Sequence, residues 1–133
     1  MDFSKKRLLR EEVGKQYFKY LEKGDTDSIL DLFQEEGMVQ SPIYGTKSAK
    51  EFYQELAEDT SSSSLKLNTI FENTFSKQVA LYFTYTWTLK NNNAVNFDVV
   101  DIMEFDDNNR ITKLTIIYDA EIARKSVLRR HKQ

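Results

Sequence analysis

The chain has 133 residues, 40% hydrophobic and 30% charged, with a formal net charge of -2 and no cysteine. That length and composition fit one domain, residues 1–133, able to bury its own core, while the missing cysteine excludes disulfides, thiolate metal sites and a cysteine nucleophile. Basic residues crowd the ends (Lys5, Lys6, Arg7 and Arg10; Arg124, Lys125, Arg129, Arg130 and Lys132), leaving ten basic and twenty acidic residues between 11 and 123. An acidic body with solvated basic ends argues against a nucleic-acid groove. Met1 to Arg10 has no apolar stretch of the signal-peptide kind, and no run approaches a membrane span. A cytoplasmic protein with neither nucleic-acid nor membrane partner is expected.

The first half reads as helical. From about Lys5 to Lys23, Leu9, Val13, Tyr17 and Tyr20 fall on one stripe at helical spacing, and Gly24 follows as a C-terminal glycine. Asp25, Thr26 or Asp27 caps a second helix whose face is Ile29, Leu32 and Phe33, ending near Gly37. Met38 to Ser41 is short and extended, since the residue before Pro42 is pushed to β geometry. Pro42 to Gly45 is a turn. Thr46 or Ser48 caps a third helix with Phe52, Tyr53 and Leu56 inward, stopping around Asp59. Ser61 to Ser64 reads as a polar linker.

The second half reads as sheet. Four strands are predicted: Leu65 to Asn73, Gln78 to Leu89, Val95 to Phe105 and Ile111 to Tyr118, joined by turns at Asn91–Asn93 and Asp106–Asn109. Residues 121–133 form a short helix or a tail. Helices followed by consecutive antiparallel strands predict an α+β fold, with three N-terminal helices on a strongly curved sheet enclosing a pocket.

The third strand carries the unusual residue. Its odd positions read Phe97, Val99, Asp101, Met103 and Phe105, an apolar face with a carboxylate in its middle. Burial raises the pKa of such a group, and a neutral carboxylic acid is a hydrogen-bond donor able to stabilise an oxyanion. The same pattern also fits an Asp101 that caps a loop, pairs with a lysine or sits at a bulge. Tyr17 reads first as packing, and Trp87, on the apolar face of the second strand, reads as core before ligand platform. One histidine, His131, and scattered carboxylates make no metal cluster, and the four glycines have no phosphate-loop spacing. No metal or cofactor is expected.

Three ordered stretches resemble the nuclear transport factor 2-like superfamily, in its ketosteroid isomerase and polyketide cyclase (SnoaL-like) branch. They are Tyr17–Asp25 running into Ile29–Phe33, Ser41–Gly45 followed by Phe52-Tyr53, and Phe97–Phe105 with its turn and Ile111-Thr112. The resemblance implies a cone of bent sheet closed by three helices around a deep pocket. In the isomerases a carboxylate base shuttles a proton beside a carbonyl, and a tyrosine with a protonated aspartate holds the dienolate. By position, Tyr17 matches that tyrosine, Asp101 the protonated aspartate and Tyr53 a supporting tyrosine. The base departs: it directly precedes the proline in the family, and here that residue is Ser41, whose hydroxyl is no base without a partner. Asp31 and Asp119 lie off the inward faces, so neither replaces it.

The expectation is therefore a small-molecule-binding protein, with Asp101 and Tyr17 as the polar floor of an apolar pocket and Ser41, Tyr53, Trp87 and Phe33 as further ligand contacts. An isomerase- or cyclase-type enzyme using Asp101 as acid/base or oxyanion donor is the alternative. The resemblance also implies a homodimer packed through the sheet.

Overall fold

The computed structural model describes residues 9–121. Helix α1 (Arg10–Lys23) opens with the Glu12 carboxylate accepting from the Leu9 amide at 3.2 Å, and closes at Gly24, whose φ of 70° is left-handed. Its buried side is Val13, Gly14, Tyr17 and Leu21. The start expected at Lys5 and the tail expected beyond Glu121 lie outside the described residues.

The second helix is shorter than its sequence suggests. Helix α2 (Thr26–Leu30) is capped by Asp25, which accepts from the Ser28 amide, and it ends before Phe33. Phe33 instead begins strand β1 (Phe33–Ser41), in which Phe33, Gly37, Val39 and Ser41 are buried. The helical spacing of Ile29, Leu32 and Phe33 covers less than one full face. Backbone pairing to the sheet outweighs so short a stripe. The Pro42–Tyr44 turn then leads into strand β2 (Gly45–Ser48), a second strand the sequence did not suggest.

Helix α3 (Ala49–Asp59) is capped by Ser48, whose hydroxyl accepts from the Glu51 amide at 3.2 Å. Ser48→Ala is expected to cost about 1 kcal/mol, read as a lower urea midpoint at unchanged slope. The helices are thus not all N-terminal to the sheet, because β1 and β2 intervene.

Strands β3 (Thr60–Asn73), β4 (Gln78–Leu89), β5 (Ala94–Phe105) and β6 (Ile111–Ile117) form the expected meander. Ser61–Ser64 belongs to β3 rather than to a linker; alternate serines give the chain a two-residue pattern that β4 pairs along its whole length. A register shift between Leu67 and Thr69 turns Ile70 inward and leaves Phe71 exposed, which breaks the expected alternation. On β4 every odd position from Val79 to Leu89 is buried, as the sequence pattern requires. Asn92 and Asn109 take the left-handed geometry of their turns, with φ of 68° and 59°.

The six strands run in the order β2-β1-β6-β5-β4-β3, and the β1–β6 pair is parallel, not antiparallel. Among the described residues the sheet does not close on itself, and β2 and β3 are its edge strands. Helix α1 lies against β3 and β4, and α3 against β1, β2 and β3. None of the described helices is long and apolar enough to cross a membrane.

Candidate functional site

Asp101 sits mid-strand in β5, opposite Leu81 of β4 and Ile116 of β6, and is 1% exposed. Its Oδ1 has no hydrogen-bond partner among the described residues. Burial pushes its pKa from the ordinary 3.8 up to about 8, opposed by a hydrogen bond from Tyr17. At neutral pH it is therefore a carboxylic acid, which donates where a carboxylate would only accept.

Tyr17 reaches Asp101 from α1, and its hydroxyl is 2.7 Å from the hydroxyl of Tyr53 on α3. Both phenols are buried, and desolvation first holds their pKa values well above 10. The pair is a fixed hydrogen-bond relay and stays protonated. The two rings meet edge-on, and Tyr53 in turn packs on Phe33 and Phe52, with centroids 5.9 and 4.8 Å apart.

Asp101 and Tyr17 face a partly open cavity of about 50 Å³, whose walls also include Leu21, Ser41, Phe83, Tyr85 and Trp87. Tyr53 and Phe33, expected to touch ligand, are not among its walls; Tyr53 is hydrogen-bonded to Tyr17, and Phe33 packs on Tyr53. The spacing predicts a helix-face position for Phe33, but as the first residue of β1 it packs into the core instead. Ser41 does line the cavity, but its hydroxyl accepts from the Tyr44 amide at 3.1 Å and so holds the turn. Trp87 lines it with its ring while its indole N–H donates to Thr60 Oγ1 at 2.7 Å. Asp31 and Asp119 are exposed and are not among its walls.

The sequence missed Tyr44, Phe52, Phe97, Ile116 and Tyr118 as cavity walls. Phe97 was legible as the odd-numbered residue four before Asp101, on the same strand face. Tyr44 donates to Asp59 Oδ2 at 2.6 Å, and Asp59, the last residue of α3, is 3% exposed. One signal pointed to Asp59: an acid at a helix C-terminus opposes the macrodipole and needs another reason to be there. Tyr85, pushed up to about 12 by burial, shares a 2.7 Å hydrogen bond with Ser63. Among the described residues no cluster of His, Asp and Glu is arranged to hold a metal ion.

A six-stranded sheet that does not close, with helices packed against it and a buried acid on its central strand, is an α+β architecture. The chain belongs to the SnoaL-like domain family, of the nuclear transport factor 2-like superfamily, whose model matches residues 15–114. Comparison with curated proteins returns no match. Among solved structures the fold is similar to TerC, co-crystallised with polyporic acid (TM-score 0.76, 17% identity, 90% of this chain and 98% of that one). It is also similar to SalBIII, an epoxide hydrolase/cyclase-like enzyme in pyran ring formation in the polyether salinomycin (0.72, 17%, 83% and 90%). A third is a hypothetical protein with a ketosteroid isomerase-like fold from Catenulispora acidiphila, in complex with trimethylamine (0.71, 10%, 81% and 85%). These likenesses carry the fold, and the residues of this chain carry the chemistry.

Proposed function

We propose that the cavity binds a small apolar ligand through one oxygen, a carbonyl or an oxyanion, held by the Asp101 carboxylic acid beside the Tyr17 hydroxyl. The observation that carries this reading is the unpartnered Oδ1 of a 1% exposed aspartate at the cavity wall. Buried polar atoms are nearly always paired, so an orphan at a pocket is a group kept for a ligand. Size narrows the class. The cavity, about 50 Å³, is smaller than the ~150 Å³ that encloses benzene, so a ring enters only by extending through the open side or displacing the half-buried Phe97, Ile116 or Tyr118. The ligand is therefore closer to one ring than to several.

Acetophenone is a suitable probe, and α-methylstyrene is the same shape with CH₂ in place of the carbonyl oxygen. By chemical-shift titration at pH 6.5, acetophenone is expected to bind about tenfold tighter than its hydrocarbon twin, a hydrogen bond's worth. That preference should disappear in Asp101→Leu. Equal affinities in the native protein would remove the basis of the reading.

The pKa of about 8 supports a second, catalytic reading, because a general acid works best when its pKa is near the working pH. Among the described residues Asp101 is the only carboxylate at the cavity walls, and Ser41 is committed to the turn. One acid without a base suits protonation of a leaving oxygen, as in ring opening or closure, better than a proton shuttle between carbons. The homodimer through the sheet is a separate proposal, tested by sedimentation equilibrium.

A further inference from the structure

We infer that Phe97 selects the ring of the ligand: it closes the cavity one ring-length from Asp101 and takes an aromatic ring joined directly to the carbonyl carbon. Resting on the reading above, this makes the ligand class aryl ketones, and it disfavours both alicyclic ketones and ketones whose ring hangs on a longer chain.

The direction of the cavity comes from β5. Its inward residues Asp101, Val99 and Phe97 are walls, whereas the buried Met103 and Val95 are not. On β4, Phe83 and Tyr85, opposite Val99 and Phe97, are walls, and Leu81, opposite Asp101, is not. The cavity therefore leaves Asp101 along the sheet in one direction, toward Phe97. From Ala94 to Glu104, β5 pairs with β4 without a register shift, so alternate residues stand about 6.6 Å apart along it. A ketone oxygen bonded to Asp101 at about 2.7 Å puts a ring attached to its carbonyl carbon over Val99. The next inward residue, Phe97, then stands at roughly the 4.5–7 Å of an aromatic pair.

That contact is edge to face. Tyr85 of β4 and Tyr118, just past the end of β6, flank Phe97 from opposite sides, with centroids 5.6 and 4.7 Å away and planes only 30° and 36° from its own. Near-parallel planes turn the faces of Phe97 toward these two neighbours, so it meets the cavity with its edge. An aromatic edge is positive and an aromatic face negative. A ligand aryl ring over Val99 brings its negative face to that edge, whereas a saturated ring brings only C–H hydrogens and is thicker. Phe97 is also held in place, since Tyr85 on one side of it is anchored to Ser63 at 2.7 Å. The room that a ring needs then comes from the open side or from the half-buried Ile116.

The test compares acetophenone with cyclohexyl methyl ketone, its saturated analogue of the same carbon skeleton, and with 4-phenylbutan-2-one, whose ring lies farther from the carbonyl. Affinities are read by chemical-shift titration at pH 6.5 in the native chain, Phe97→Leu and Asp101→Leu. Acetophenone is expected to bind about fivefold tighter than the saturated ketone. It should also bind tighter than the longer ketone, although that one has more methylene groups to bury. In Phe97→Leu the advantage over the saturated ketone should fall below about twofold within that variant. Should Phe97→Leu not fold, nuclear Overhauser contacts in the native chain read the same placement: the ring protons of bound acetophenone are expected on Val99 and Phe97, and contacts to Leu56 and Tyr44 alone overturn it. The inference is overturned as well if the aromatic and saturated ketones bind equally, if the longer ketone binds tightest, or if the advantage survives Phe97→Leu. Failure of the underlying reading is separable, because it shows as acetophenone affinity indifferent to Asp101→Leu whatever Phe97 does.

Discussion

Replacing Asp101 by Asn is expected to stabilise the fold at pH 7 and to remove a pH dependence that the native chain shows between about pH 4 and pH 8. The acid has an ordinary pKa of 3.8 when unfolded and about 8 when folded. Between these values the folded chain keeps a proton that the unfolded chain has released. The unfolded state binds fewer protons, so native stability falls with rising pH by about 1.4 kcal/mol per pH unit. The contribution is fully present below pH 4 and is lost as the pH passes through 8. At pH 7 the deficit relative to a group that never ionises is about 4 kcal/mol. Asparagine does not titrate, but its amide brings donors to a place where Oδ1 has no partner, which takes back about 1–3 kcal/mol.

The difference is a net gain of about 1–3 kcal/mol at pH 7, growing at pH 8 and reversing below pH 5. Urea unfolding of both proteins at pH 5, 7 and 8.5 reads it directly, because groups common to both cancel. Parallel stability curves for the two proteins would show that Asp101 is not a buried acid. A native residue that costs stability at working pH is what a binding or catalytic site retains and a core does not. For that reason the stability experiment bears on function as well as on folding.

What the sequence displayed of this site follows from strand periodicity. Alternation on β4 and β5 is strict because both strands are flanked by others, so each odd residue has one destination and Asp101 stands out among them. The region from Leu30 to Ser48 was far less legible. Its strands are short or bulged, and β1 pairs in parallel with β6, more than seventy residues later, which no local pattern announces. The partner relation between Tyr44 and Asp59 was hidden for a related reason: fifteen residues and a whole helix separate them, and only the packing of α3 on β1 brings the turn to the helix end. Family resemblance grouped Tyr17 and Tyr53 with Asp101; in the fold Tyr17 is hydrogen-bonded to both Asp101 and Tyr53, and of the two tyrosines Tyr17 alone is among the cavity walls.

The bulge in β1 also sets up the second large effect. From Phe33 to Met38 this strand advances five residues while β6 advances from Ile111 to Lys113, so the excess must fold out locally. Gly37 is where the crowding falls: a Cβ there would lie 2.8 Å from Phe33 Cδ2, 3.0 Å from the Gln34 carbonyl oxygen and 3.2 Å from that of Ile111. Two of these neighbours are backbone and the third is a buried ring held against Tyr53, so none yields easily. Gly37→Ala is therefore expected to cost about 3 kcal/mol, seen as a lower denaturation midpoint. Gly45→Ala supplies the contrast. There the φ is 73° and nothing lies within 4 Å, so only backbone strain of about 1 kcal/mol applies. Steric origin is checked in a Phe33→Leu background, where the smaller, more mobile side chain should roughly halve the cost of Gly37→Ala. Strand β1 ends at Ser41, whose hydroxyl accepts from the Tyr44 amide and so holds the turn that follows. If Gly37→Ala costs no more than Gly45→Ala, the bulge is not what holds β1 in register, and the placement of Ser41 and Tyr44 rests on the Pro42–Gly45 turn alone.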